Sequence, residues 1–204
     1  MTEQDEQAQA ERERLWREWA PTAGVPLRLR TASMPNPIET MAITATRQYV
    51  TEDLQHGRCL VLAGPTGVGK SFAAARVMWA ALRGHFWYFP ALCSQLLVSE
   101  TRAEALETAR HERLAVFDDF GVEYAKEGGL LDTFLDDIIW HRESDRLATI
   151  FTTNLTTEQL VKRLPGRLVD RLRGEWGRVF ECPGESLREQ ELPARATEPS
   201  GAVG

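Results

Sequence analysis

Gly64-Pro65-Thr66-Gly67-Val68-Gly69-Lys70-Ser71 spells the pattern G-x-x-x-x-G-K-[ST], and each residue type in it has a chemical reason to be there. The glycines let the backbone turn its N–H groups inward around the β- and γ-phosphates of a nucleotide, and a helix starting at this point adds its dipole. Lys70 supplies a point charge to the γ-phosphate, and Ser71 offers a hydroxyl to Mg2+. A Gly-rich turn that happens to carry Lys-Ser would look the same in isolation. The flanks argue against that reading: Cys59-Leu60-Val61-Leu62-Ala63 has the length and branching of a buried parallel strand, and residues 71–83 read as helix.

Phosphoryl transfer needs a metal ligand opposite such a loop. Leu114-Ala115-Val116-Phe117-Asp118-Asp119 runs an apolar strand into two acids, which makes Asp118 the Mg2+ ligand and Asp119 the group that orients or deprotonates water. The second task often falls to Glu, one methylene longer, and two acids at a solvated strand end are the plainer reading. Asn154 tips the next apolar run, residues 148–153, where a polar side chain can reach the γ-phosphate or the attacking water; Asn is also common in turns. An intervening strand lies between Lys70 and Asp118, an order that separates additional-strand ATPases from nucleotide kinases.

Lys162, Arg163, Arg167, Arg171, Arg173 and Arg178 crowd one short segment. Arg167 and Arg171 lie four apart on an expected helix, facing one way, and either could serve as an arginine finger for a neighbouring subunit's γ-phosphate. A DNA-backbone contact and a solvated basic face remain alternatives. Arg102, Arg110 and Arg113 form only a weak second patch.

Elements that must position these residues follow in alternation. Residues 1–20 read as an appendage helix with Leu15, Trp16 and Trp19 as a short apolar ridge, either tucked against the main domain or left to grip a partner, and partner docking is the expectation. Pro21, Gly24, Pro26 and Pro35 mark 21–36 as a linker. An ATPase domain over 37–188 then opens with a helix capped by Asn36 and running to about Gln55, with Ile38, Ala42, Ala45 and Tyr49 on one face. Strands are expected at 59–63, 86–89, 114–118, 148–153 and 179–181, with two short helices over 92–113 broken near Ser99 and a capping box at Thr156 and Gln159. This specifies an α/β fold with a doubly wound, parallel five-stranded sheet. Residues 189–204 read as a polar tail.

A net charge of −6 confines any nucleic-acid contact to a local patch, because the overall field repels phosphate. Cys59, Cys93 and Cys182 are too widely spaced for a disulfide framework or a zinc site. With no signal-like or membrane-spanning stretch, a cytoplasmic protein without a membrane partner is expected.

Taken in order, Gly64–Ser71, Val116-Phe117-Asp118-Asp119-Phe120-Gly121, Thr152-Thr153-Asn154, Gly166-Arg167-Leu168-Val169-Asp170-Arg171-Leu172 and Gly184-Glu185-Ser186-Leu187-Arg188 resemble the successive motifs of the AAA+ ATPases that group DnaC/DnaI helicase loaders with IstB transposition helpers. The first two motifs occur in many ATPases, whereas the later ones in this order are far more specific. The resemblance implies the P-loop AAA+ fold without a C-terminal helical lid domain, ATP and Mg2+ as cofactors, and self-association through the ATP site. It implies a replicative hexameric helicase as partner, to be loaded onto DNA, with single-stranded DNA as a further candidate partner. Arg171 matches the family's finger and Arg188 falls near its second sensor. The sequence departs from the family at Leu187, where Tyr is usual, and lacks a cysteine cluster for a zinc-binding N-terminal domain. Rival readings are an IstB-like helper on duplex DNA, a small-molecule kinase, and a nucleotide-dependent scaffold that does not hydrolyse ATP.

Overall fold

The computed structural model describes residues 3–32, 34–35, 37–121 and 129–187. Strands β1 (Cys59–Ala63), β2 (His85–Tyr88), β3 (Leu114–Asp118), β4 (Ala148–Thr153) and β5 (Gly177–Glu181) form one all-parallel sheet in the order β2-β3-β4-β1-β5. Each step between parallel neighbours needs a crossover, and the helices supply it. Helix α3 (Met41–Glu52) precedes β1; the crossover helices are α4 (Lys70–Ala81) after β1, α5 (Phe89–Leu97) and α6 (Ser99–His111) before β3, α7 (Leu130–Ser144) before β4, and α8 (Thr157–Arg163) with α9 (Gly166–Arg173) before β5. Among the described residues no helix follows β5. No described helix is long and apolar enough to cross a membrane.

Side chains alternate across a strand, so the central strands, buried throughout, feed two cores. Leu60, Leu62, Val116 and Ile150 pack with α3 and α4 on one face. Val61, Ala63, Phe117 and Phe151 pack with α5 to α9 on the other. Arg142 of α7 is fully buried in the second layer and donates to Thr149 Oγ1 at 2.8 Å and to the carbonyls of Ala109, Glu112 and Ala148 at 3.0, 3.0 and 2.7 Å. One guanidinium thus satisfies the end of α6 and fixes the start of β4, which carries Asn154 at its far end. Burial lowers its pKa to about 10, still well above neutrality. Cys59, Cys93 and Cys182 are buried thiols.

Several boundaries differ from the sequence expectation. The helix expected to start at Asn36 begins at Met41, capped by Thr40, whose hydroxyl accepts from Ile43 N at 3.2 Å. Ile38, assigned to its buried face, is 68% exposed, because residues 37–40 run extended past the mouth of a cavity. Asn36 itself lies outside the described residues, as do 188–204. The break at Ser99 and the Thr156/Gln159 capping box are present.

The N-terminal stretch differs most. Helix α1 (Glu3–Trp19) carries Trp16 into the first core at 2% exposure, and Ala20, Ala23, Val25, Leu29 and Met34 continue the same layer. The described residues of 21–36, read as a linker, include a short helix, α2 (Leu27–Arg30), and are tied to the sheet by Phe86 N donating to Ala23 O at 2.7 Å. Arg12 of α1 donates to Ala80 O at the end of α4 and lies over Trp79. Trp16 is therefore a core residue and not a presented docking group.

Trp16→Ala should cost about 3–5 kcal/mol in denaturant unfolding. Trp16→Phe should cost less, because Trp16 Nε1 has no hydrogen-bond partner among the described residues. A loss near zero for the alanine variant contradicts this packing.

Candidate functional site

All five strands are parallel, so their C-terminal ends gather on one edge of the sheet, where ligands of such folds bind. Here a cavity of about 940 Å³ is lined by Thr66, Gly67, Gly69, Lys70 and Ser71 on one wall and by Asp118, Asp119, Thr152 and Asn154 on another. The phosphate loop and the two strand ends singled out in the sequence thus meet in one place.

Loop shape is enforced from outside. Gly64 and Gly67 have φ of 141° and 92°, conformations that side chains rarely adopt. A Cβ on Gly64 would strike the Cys182 carbonyl, and one on Gly67 would strike Ser186. The segment after β5 lies directly on the loop, with Leu187 N donating to Gly67 O at 3.1 Å and Leu187 lining the cavity. Arg188, expected near a second sensor, lies outside the described residues.

A connected set of hydrogen bonds joins the two walls. Lys70 is 5% exposed, and its Nζ donates to Gly64 O at 2.7 Å, Pro65 O at 2.6 Å and Asn154 Oδ1 at 3.2 Å. Asn154 Nδ2 donates to Asp119 Oδ1 at 2.6 Å. Thr152 Oγ1 donates to Asp118 Oδ1 at 2.6 Å and accepts from Asp119 N at 3.1 Å, the latter from a residue with φ of 67°. Partial burial, then the adjacent Asp118, push the Asp119 carboxyl above its ordinary value against the pull of Lys70 and Arg28.

Ser71 and Asp118 contribute hard oxygens to the same cavity, a donor set suited to Mg2+ when phosphate and water oxygens complete the shell. Such an ion would neutralise phosphate charge; Asp119 and Asn154, which share a hydrogen bond, line the same cavity. Among the described residues no cluster of three or more His, Cys, Asp or Glu could hold a metal.

Arg167 and Arg171 line no part of their own chain's cavity. Arg171 Nη1 pairs with Glu143 Oε2 at 3.0 Å, and Arg167 Nε with Asp136 Oδ1 at 3.0 Å, both on α7. Arg178 is bound to Glu52 and the buried Asp53. The weak patch on α6 is smaller than its sequence implies: Arg102 Nε donates to Leu96 O at 2.7 Å, closing the end of α5, and Arg110 is paired with Asp137.

Sequence reasoning named Thr152 only within Thr152-Thr153-Asn154 and gave it no role of its own, although its hydroxyl, on a residue 2% exposed, joins Asp118 to Asp119 N. It also missed the third wall, made by Pro26, Arg28 and Leu29 with Tyr88. No motif marks those residues; only the path of the N-terminal segment brings them there.

No family model matches the chain, and no curated protein matches it in sequence. Solved structures do match in fold. DnaI aligns with a TM-score of 0.65 at 24% identity, covering 79% of this chain and 93% of that one. The DnaC helicase loader aligns at 0.63 and 20% identity, covering 78% and 100%. AMPPCP-bound DnaA from Aquifex aeolicus aligns at 0.61 and 18% identity over 74% of this chain and 49% of that one. The fold is an α/β fold with an all-parallel five-stranded sheet, similar to that of DnaI and of the DnaC helicase loader.

A carboxyl held above its unfolded value binds its proton more readily in the folded chain, so Asp119 weakens the fold as pH rises through its folded value. Asn at this position keeps an acceptor for Asn154 and tolerates the positive φ. Without nucleotide or divalent cation, Asp119→Asn should melt at or above the wild-type temperature at neutral pH, the gap closing as pH falls below that value. A variant that melts lower at neutral pH, with no change in acid, contradicts the arrangement.

Proposed function

We propose that this protein is an ATP-hydrolysing AAA+ ATPase that loads a replicative helicase onto DNA. The observation that carries the ATPase part is the meeting of Lys70, Ser71, Asp118, Asp119 and Asn154 on one cavity wall to wall, with the hydrogen bonds that orient them already made. In this reading Gly64–Ser71 wraps the phosphates, Lys70 leaves the loop carbonyls for the γ-phosphate, and Ser71 and Asp118 hold Mg2+. Asp119, steadied by Asn154, orients and deprotonates water.

Arg167 and Arg171 bear on the oligomer. Lying off their own cavity, they reach a phosphate only in another copy of the chain, so hydrolysis is completed between subunits, with Arg171 as the finger and Glu143 holding it until assembly. The helicase assignment draws its support from the shared fold with DnaI and the DnaC helicase loader and from the order of motifs. Single-stranded DNA would be a further partner; the exposed Lys162, Arg163 and Arg173 are the basic groups left for it.

Immobilised protein with ATP and Mg2+ should retain a purified hexameric replicative helicase from the host. Lys70→Ala should abolish turnover and this ATP-dependent retention together. Unchanged turnover in Lys70→Ala would refute the site, and failure of the wild-type protein to retain the helicase would refute the loader assignment.

A further inference from the structure

We propose that Arg28 contacts the terminal phosphate of a nucleoside triphosphate bound in the cavity of its own chain, as a cis-acting cation supplied by the N-terminal segment. This rests on the nucleotide-site reading above and adds a residue to it that no motif announces.

Arg28 is the one arginine among the described residues that line the cavity, which it lines together with Lys70, Asp118, Asp119 and Asn154. On the nucleotide-site reading Arg28 therefore stands among the groups at the phosphate end of the cavity. Unlike Arg167 and Arg171, it has no ion-pair partner among the described residues. An exposed arginine on a free arm would be unremarkable. This one sits on a fixed backbone.

Helix α2 has only four residues, yet both of its flanks are anchored. Before it, Ala23 and Val25 are buried, Phe86 N donates to Ala23 O, and Gly24 approaches the Phe86 carbonyl too closely for a side chain. Within it, Leu29 is 7% exposed and faces the core while Arg28 is exposed. After it, Met34 is buried, and its carbonyl accepts from Arg76 Nε of α4 at 2.8 Å. The segment therefore passes the cavity mouth on a set path, and Pro26 with Leu29 lines the wall beside Arg28. Guanidinium geometry suits bidentate capture of phosphate oxygens. Cations aimed at the transferring phosphoryl group are what such a reaction uses, in cis in some nucleotide hydrolases.

Calorimetric titration of wild type, Arg28→Ala, Arg28→Lys and Lys70→Ala with ATPγS and with ADP, each with Mg2+, tests the contact. Arg28→Ala should lose about tenfold in ATPγS affinity, the loss expected for one charge-assisted hydrogen bond, with ADP affinity unchanged. Arg28→Lys should recover part of the loss. Matched melting temperatures would show that both variants keep the fold, as an exposed side chain predicts. Equal losses for ATPγS and ADP would place Arg28 on the base, ribose or inner phosphates and overturn the proposal, as would no loss for either nucleotide. If wild type binds neither nucleotide, the nucleotide-site reading itself fails; if wild type binds both and Lys70→Ala does not, that reading stands and the Arg28 variants decide this proposal alone.

Discussion

A buried ammonium group is the constraint on which the rest of this structure turns. Lys70 is almost wholly removed from water, and a charge so placed is tolerated only where acceptors surround it. Two acceptors are carbonyls of its own loop, Gly64 O and Pro65 O, which bends the loop back over the helix start. The third is Asn154 at the end of β4, which in turn holds Asp119 at the end of β3. One cation therefore sets the spacing of three adjacent strand ends. A nucleotide's γ-phosphate would compete for that cation, so nucleotide arrival bears directly on the group that positions Asp119.

Supports for this arrangement are spread through both cores. Arg142 fixes the start of β4 from beneath, and the alternating apolar residues of β1, β3 and β4 leave those strands no freedom of register. On the opposite side, residues 182–187 press on the loop glycines, and the N-terminal segment packs Trp16, Leu29 and Met34 under α3 and α4. The cavity is thus enclosed by parts of the chain far apart in sequence.

That distance explains what the sequence showed and what it hid. Strand ends were legible because apolar runs of strand length stop at Asp118 and at Asn154, and the loop because its spacing leaves few other uses. The start of α3 was misread because Asn-Pro-x-Glu imitates a helix cap, while tertiary packing draws residues 37–40 out along the cavity. Trp16 was assigned to a partner because the prolines after it resemble linker punctuation. In the structure Pro26 instead stands at the N-cap of α2, which is anchored by the buried Leu29, and the polar face of α1 conceals how little apolar surface is needed to seal one tryptophan. Arg28 has no local signature, since its place depends wholly on that packing.

Arg171 decides between a site complete in one chain and a site completed by two. Mixing Arg171→Ala, which keeps an intact loop, with Lys70→Ala, which keeps an intact finger, measures this most directly, with co-assembly of the two confirmed by crosslinking. Arg171→Ala alone should fall on the order of 10³-fold in ATP turnover while still binding ATP. Recovery of turnover in the mixture is the result predicted for hydrolysis between subunits, and co-assembled mixtures that stay inactive would contradict it.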